Sequence, residues 1–554
     1  MPLRPAAEAV LEALEGRRWP LYFIAPTGYG KTRLVLEAVE RLYPGVPGFV
    51  HALPLRAIIE QVYLRASREL SVPVGYQAGG LLLHGKSPFM AAAYNVVTYD
   101  SLLYNLYRVN VAEQSLGHYE VPRAHILSSL VVLDEAHLGL GHLAGSLLDA
   151  ARYLHESRTP LLVETATMPP SLFEKLLEEV EGRVVIPAPR GGFNGDCLRL
   201  LAPGASVEQV EDPDYYEAYE GLSWRFEPVD EERVASLVAA EAESGLRVLV
   251  VARGPREAVS LYHRLREALG EGVALLHGRL AAVDRRGVVA GLEEGRVSVL
   301  VGTSAVEAGI DIDFDALYTS VDGPADSRSA LIQRMGRIAR SPERVGELRE
   351  ARVYLYGEGA EAEARAWMGV DPRLPCDAGG GRRGYARLLA GEEAELEQST
   401  RLEERLRESL LTHPDIGPGG LDRLLRVAES LVCDVVRGEA LVSLVAAELL
   451  GCSGCRCSPT PAEVAEASLA VRLGELPRLL SRNPPRLIVV DGKVCAVAVG
   501  DGGLEARPAV PAWLVEGLGG SGWRRACARL LRALREKRVV ALVAEGYRRG
   551  EGLV

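Results

Sequence analysis

The sequence predicts an α/β protein: two tandem doubly wound parallel-sheet domains followed by a C-terminal mixed α/β accessory domain. Three observations carry that expectation. Short apolar runs alternate with helical patterns between Leu21 and Thr167, and a second alternation starts at Val248. A Gly-rich turn joins the first apolar run to the first long helical pattern, the context a phosphate-cradling loop requires. Beyond about residue 360 the alternation gives way to acidic helical stretches and a hairpin signal. The expected boundaries are residues 1–190 for the first domain, 191–225 for a connector, 226–360 for the second and 361–554 for the accessory domain.

A chain of 554 residues can bury several cores. Its net charge of −12 is not that of a protein coated in basic residues, so a nucleic-acid site has to be a local groove. No apolar run approaches the length that spans a bilayer, and no charged-then-apolar leader opens the chain. A cytoplasmic location without a membrane partner is therefore expected.

Taken in order, residues 5–18 read as a helix. The apolar run Leu21–Ile24 then leads into Ala25-Pro-Thr-Gly-Tyr-Gly-Lys-Thr32, and Leu34, Val35, Ala38, Val39 and Leu42 follow on one helical face. Gly28 and Gly30 let the backbone curl so that its N–H groups, at a helix's positive end, face a triphosphate. Lys31 would reach the β- and γ-phosphates, and the Thr32 hydroxyl would hold Mg²⁺. The strand 48–53 runs into Pro54 and Arg56, and the strand from Asn95 ends at Thr98 and Asp100. Such strand ends lie on the ligand-binding edge of open α/β sheets. Leu130-Val-Val-Leu-Asp-Glu-Ala-His137 places two carboxylates just past a central strand, Asp134 for Mg²⁺ and Glu135 to polarise the attacking water. Residues 161–167 form a further strand carrying Thr165 and Thr167.

The second unit reads as strands at 248–252, 273–277 and 297–303. It carries Thr303-Ser-Ala-Val-Glu-Ala-Gly-Ile-Asp311 and Gln333-Arg-Met-Gly-Arg-Ile-Ala-Arg340. On a helix, Gln333, Gly336, Arg337 and Arg340 would share one face, a basic stripe fit to reach a γ-phosphate across a cleft.

In order and spacing this set resembles a superfamily 2 DEAH-box motor with RecA-like domains. The wording Ala52-Leu-Pro-Leu-Arg-Ala57, Thr98-Tyr-Asp-Ser101 and Gly117-His-Tyr-Glu-Val-Pro-Arg-Ala124 is similar to the CRISPR-associated helicase of type I systems, in its archaeal form encoded apart from its nuclease. The resemblance implies ATP-powered 3′–5′ movement on single-stranded DNA, alongside a surveillance complex and a separate HD-type nuclease subunit. It implies ATP contacts from Thr27, Gly28, Tyr29, Gly30, Lys31, Thr32, Gly309 and Asp311, and Mg²⁺ held by Thr32 and Asp134. Catalysis falls to Asp134, Glu135, Gln333, Arg337 and Arg340, and coupling to His137, Thr165 and Thr167. Strand contacts fall to Pro54, Arg56, Thr98, Asp100, Arg253, His277, Thr303 and Glu307. Ala6 and Ala7 occupy the region where such motors keep an adenine-reading Gln, which leaves base selectivity open. An RNA helicase, or a nucleotide-gated clamp that grips without moving, shares much of this pattern.

The last third carries fewer signals. Asp491-Gly492 marks a hairpin turn within 487–497, and helical patterns with acidic residues fall at 358–363 and 392–408. Cys452, Cys455 and Cys457, with Cys433 or Cys495, supply enough thiols for tetrahedral zinc; buried thiols or a disulfide account for the same crowding. A helix over 523–537 sets Arg525, Arg529 and Arg532 opposite Leu530, Leu531 and Leu534. That basic face fits DNA phosphate or a protein partner, or simply solvent.

Overall fold

The computed structural model describes residues 2–54, 56–78, 85–107, 120–136, 144–306, 312–322, 327–340, 344–345, 348–390, 433, 441–480, 483–500, 502–520 and 522–554. Three sheets account for its strands. The first has eight parallel strands: β1 (Leu21–Ile24), β2 (Phe49–Leu53), β3 (Val74–Gln77), β4 (Tyr94–Thr98), β5 (Leu130–Asp134), β6 (Leu161–Thr165), β7 (Arg183–Ala188) and β8 (Val207–Glu211). Their order is β3-β4-β2-β5-β6-β1-β7-β8. The central strands β1, β2, β4, β5 and β6 are buried along their whole length, which is why they read as unbroken apolar runs rather than alternating ones. Reversal of the strand order beside β1 puts the loops after β1 and β5 at a switch point, where ligands bind in this class of sheet.

The second sheet has six parallel strands: β9 (Ser223–Pro228), β10 (Val248–Val251), β11 (Val273–Leu276), β12 (Val299–Gly302), β13 (Ala316–Ser320) and β14 (Glu350–Tyr356). Their order is β11-β12-β10-β13-β14-β9. The segment 191–225, expected as a connector, is more structured than that. It supplies the edge strand β8 to the first sheet and the start of β9 to the second, with the helix Pro213–Ala218 between them. Its weak strand signal has a physical cause: β8 and β9 are edge strands with mixed exposure, so little apolar patterning is imposed on them.

A third, mixed sheet comprises β15 (Leu441–Ala446), β16 (Ser468–Arg472), β17 (Arg486–Leu487), β18 (Val489–Val490), β19 (Lys493–Gly500), β20 (Gly503–Pro511) and β21 (Val539–Glu545). Only β15 and β21 pair in parallel; the other pairings are antiparallel. Asp491 and Gly492 both take positive φ, as the expected hairpin turn requires. One apolar core runs continuously from the first sheet into the second, and two further clusters fill the accessory domain. That domain docks on the second sheet through Arg279 to Glu475 at 2.6 Å and Tyr547 to Asp284 at 2.6 Å.

The cysteines correct the zinc expectation. Cys452 pairs with Cys457 and Cys455 with Cys495, while Cys433 pairs with Cys527 and Cys197 with Cys376. Thiols oxidised to disulfides hold no thiolate for a metal. The expected helix over 392–408 lies outside the described residues, and no helix among the described residues is long and apolar enough to cross a membrane.

Candidate nucleotide site at the seam between two sheets

The loop after β1 is shaped by backbone requirements. Gly28 and Gly30 take φ of +82° and +107°, conformations that L side chains rarely adopt. Gly30 precedes the helix Lys31–Leu42, whose first turn carries no carboxylate, so its positive end is left for an anion. Lys31 is buried, donates to the Ala25 carbonyl at 3.2 Å and lies 3.5 Å from Glu135. Glu135 itself sits at φ +51°, a strained turn that aims its carboxylate back at the loop. Burial pushes its carboxyl up, and Lys31 pulls it back down.

Asp134 is buried at the end of β5. Its Oδ2 lies 3.1 Å from His51 Nε2, while its Oδ1 is buried without a hydrogen-bond partner. An unpartnered carboxylate oxygen beside a phosphate loop fits a hydrated Mg²⁺, with the Thr32 hydroxyl as the second protein group. Bound there, Mg²⁺ would supply positive charge to the phosphates of a nucleotide.

The second sheet closes the seam. Gln333 donates to Glu135 at 3.4 Å, and Arg337 is buried next to it. Arg340 lies along the phosphate loop, where a Cβ placed on Gly28 would stand 3.4 Å from its Cγ and Nε. The expected shared helical face is corrected here. The helix is Arg328–Met335 and ends at Gly336, so Arg337 and Arg340 belong to the turn beyond it. Two features replace the helix. Phe314 donates to the Arg337 carbonyl and accepts from the Ala339 N–H, a short bridge opposite Ile338, and Ala339 takes φ +46°, which swings Arg340 toward the loop.

Two residues outside the motifs hold this turn, and no local pattern marks them in the sequence. Arg373 donates to the Ile338 and Ala339 carbonyls at 2.8 and 2.5 Å and stacks 4.3 Å from the Tyr219 ring. Tyr219 in turn donates to the Arg340 carbonyl at 2.6 Å. Tyr29, inside the phosphate loop, donates to Asp212 at 2.8 Å and accepts the Ala6 N–H. Arg4 packs over Tyr215, 4.7 Å from its ring. Ala6 and Ala7 are buried in this aromatic corner.

The threonines expected to couple hydrolysis to movement stand at the end of β6. Thr165 donates to the Thr167 carbonyl at 2.5 Å, and Tyr385 donates to the intervening Ala166 carbonyl at 2.7 Å. Several of the residues expected to grip a strand have partners within the chain. His277 is fully buried against the Glu551 carbonyl at 2.8 Å, Thr98 caps a helix, and Thr303 is buried. Arg253 pairs with Glu231, Glu257 and Asp322, and Pro54 and Asp100 stay at the ends of β2 and β4. Arg56 begins a helix, while His137, Glu307, Gly309 and Asp311 lie outside the described residues.

A phosphate loop on one parallel sheet facing an arginine turn from a second makes a bipartite nucleotide site, the arrangement found in helicase motors. Residues 4–176 match the DEAD/DEAH box helicase family, and residues 244–343 match the C-terminal family of the CRISPR-associated nuclease/helicase Cas3. The chain is 28% identical over 416 residues to the CRISPR-associated endonuclease/helicase Cas3 of Thermus thermophilus, covering 60% of this chain and 44% of that protein. It is 26% identical over 387 residues to the CRISPR-associated helicase Cas3 of Thermoproteus tenax, covering 64% and 58%. The fold is that of the T. fusca Cas3–ADP crystal structure, with a TM-score of 0.58 at 19% identity over 91% of this chain and 69% of that one. The chain is thus similar to CRISPR-associated superfamily 2 helicases of the Cas3 kind, and it spans about half the length of the curated relatives it matches.

Proposed function

We propose that this chain is an ATP-driven motor that moves 3′ to 5′ on single-stranded DNA and opens target duplex in type I CRISPR interference, with a separate nuclease subunit and a surveillance complex as partners. The observation that carries this reading is the bipartite seam: Lys31 and Glu135 from one sheet meet Gln333 and the Arg337–Arg340 turn from the other. Lys31 and the loop N–H groups bind the triphosphate, and Glu135 orients water for attack on the γ-phosphorus. Arg337 and Arg340 stabilise the charge that spreads over the transferred group. A site split between two bodies ties hydrolysis to their relative movement, which is what a motor needs and a passive clamp does not. Thr165 and Thr167, between the phosphate loop and Tyr385, pass that movement to the strand-end loops.

The deciding measurement is ATP-dependent strand displacement on duplexes with 3′ or 5′ single-stranded tails, in DNA and RNA versions. Displacement confined to 3′-tailed DNA is expected. Displacement of RNA duplexes alone would assign an RNA helicase, and ATP turnover without displacement on any substrate would assign a clamp.

A further inference from the structure

The face of the first sheet behind the phosphate loop carries a cluster of which the proposed reaction uses only Asp134. In register, His51 of β2 stands beside Val132 of β5, and Asp134 of β5 beside Glu164 of β6. Positions 132 and 134 share a face, so His51, Asp134 and Glu164 point to the same side of three adjacent strands. Their exposures are 0, 4 and 0%. Each offers one ligand atom within 4.8 Å of the other two. Both oxygens of Glu164, and Oδ1 of Asp134, are buried without a hydrogen-bond partner. Lys31 is engaged with Glu135 and the Ala25 carbonyl.

Two adjacent carboxylates sealed from water, with three of their four oxygens unpartnered, are costly. The surroundings supply an ordered imidazole instead: His51 Nδ1 is 2.7 Å from the Tyr94 hydroxyl. In the tautomer whose Nδ1–H donates to that hydroxyl, Nε2 turns its lone pair toward the carboxylates. Orientation of a ligating histidine through its other nitrogen is the usual support of a metal site. Donors about 2.1 Å from a common ion and at right angles stand about 3 Å apart. The 3.1 Å between His51 Nε2 and Asp134 Oδ2 already has that spacing.

We propose that His51, Asp134 and Glu164 form a buried divalent-cation site of the Mn²⁺/Zn²⁺ class, distinct from the nucleotide's Mg²⁺ and sharing with it only Asp134. One imidazole and two carboxylates suit such ions better than Mg²⁺, which keeps more of its water. The ion sets the direction of the Asp134 carboxylate before nucleotide arrives. The proposal rests on the motor reading only in naming that second Mg²⁺; the cluster itself does not depend on ATP turnover.

The test is a Mn²⁺ titration of the full chain, stripped with a chelator and free of nucleotide, with unbound Mn²⁺ counted by electron paramagnetic resonance. One equivalent is expected to bind. Glu164→Gln and His51→Gln are each expected to weaken it about tenfold or more, and Thr32→Ala to leave it unchanged. Glu164→Leu, which replaces an unpartnered carboxylate by an apolar group of similar size, is expected to fold and to lose the rise in Tm that Mn²⁺ gives the parent chain. Binding only in the presence of nucleotide, equal binding by Glu164→Gln, or equal loss in Thr32→Ala would each overturn the proposal. Strand displacement that fails while Mn²⁺ binding persists counts against the motor reading alone.

Discussion

Gly336 lies directly against Thr27. A Cβ at position 336 would overlap the Thr27 hydroxyl and its Cβ. The φ of Gly336 is −63°, which any residue adopts, so glycine is needed here for close approach and not for backbone freedom. Gly336→Ala is expected to wedge the arginine turn off the phosphate loop and to cut DNA-stimulated ATP turnover at least about tenfold. Gly336 lies past the end of its helix and in neither sheet, so Tm should change by only a few degrees. Steady-state ATPase assays beside thermal melts read both quantities.

Lys31→Ala removes the cation closest to the triphosphate and should abolish ATPase and unwinding together. Arg340→Ala should behave differently, leaving nucleotide affinity near normal while turnover falls by about 10³-fold or more. Equilibrium binding of a fluorescent nucleotide, set beside ATPase rates, separates the two. Equal loss of affinity and rate in Arg340→Ala would make that residue structural.

Arg373 acts at one remove, through the Ile338 and Ala339 carbonyls and the Tyr219 ring. Arg373→Ala should release Ala339 from its left-handed conformation and lower kcat several-fold, with KM for ATP within about twofold. Arg373→Lys reaches the carbonyls without the planar fork and should recover part of kcat. A matched fall of kcat and Tm in both variants would indicate a purely structural role.

His277 gives the molecule a pH signature. Burial, assisted by Arg279, lowers its pKa to about 4, against an ordinary value near 6.5. Well above pH 6.5 it is neutral in both folded and unfolded chains and contributes no slope. As pH falls below 6.5 the unfolded chain takes up a proton that the fold refuses. Stability is then lost progressively down to about pH 4, by about 2–3 kcal/mol in total. Urea melts at pH 7 and 4.5 should show that extra loss in the parent chain and lack it in His277→Gln.

The motifs were legible because each needs a fixed residue type at a fixed spacing. Lys31, Glu135, Gln333 and Arg340 come from separate stretches of sequence, and the structure brings them to one seam. The buried central strands were legible for a related reason, since burial on both faces leaves only apolar residues. What stayed hidden depended on partners far along the chain. The turn at 337–340 looks helical by spacing, and only the bridge to Phe314 and the grip of Arg373 show that it is not. Edge strands β8 and β9 carry mixed exposure and so little pattern. His277 and Arg253 sit at strand ends as a strand-gripping residue would, and within the chain their partners are the Glu551 carbonyl and the carboxylates of Glu231, Glu257 and Asp322. Cysteine pairing is set by folding, and no count of thiols distinguishes a disulfide from a zinc ligand set.

The bond between Cys197 and Cys376 joins the helix Gly195–Leu201, inserted between two strands of the first sheet, to the stretch containing Arg373 and Tyr385. That stretch holds the arginine turn of the second sheet and the Ala166 carbonyl of the first. The two lobes are thus stitched covalently along one margin, beside the arginine turn. A book bound at its spine opens least there, so any parting of the lobes is expected to be smallest at that margin and widest at the one opposite.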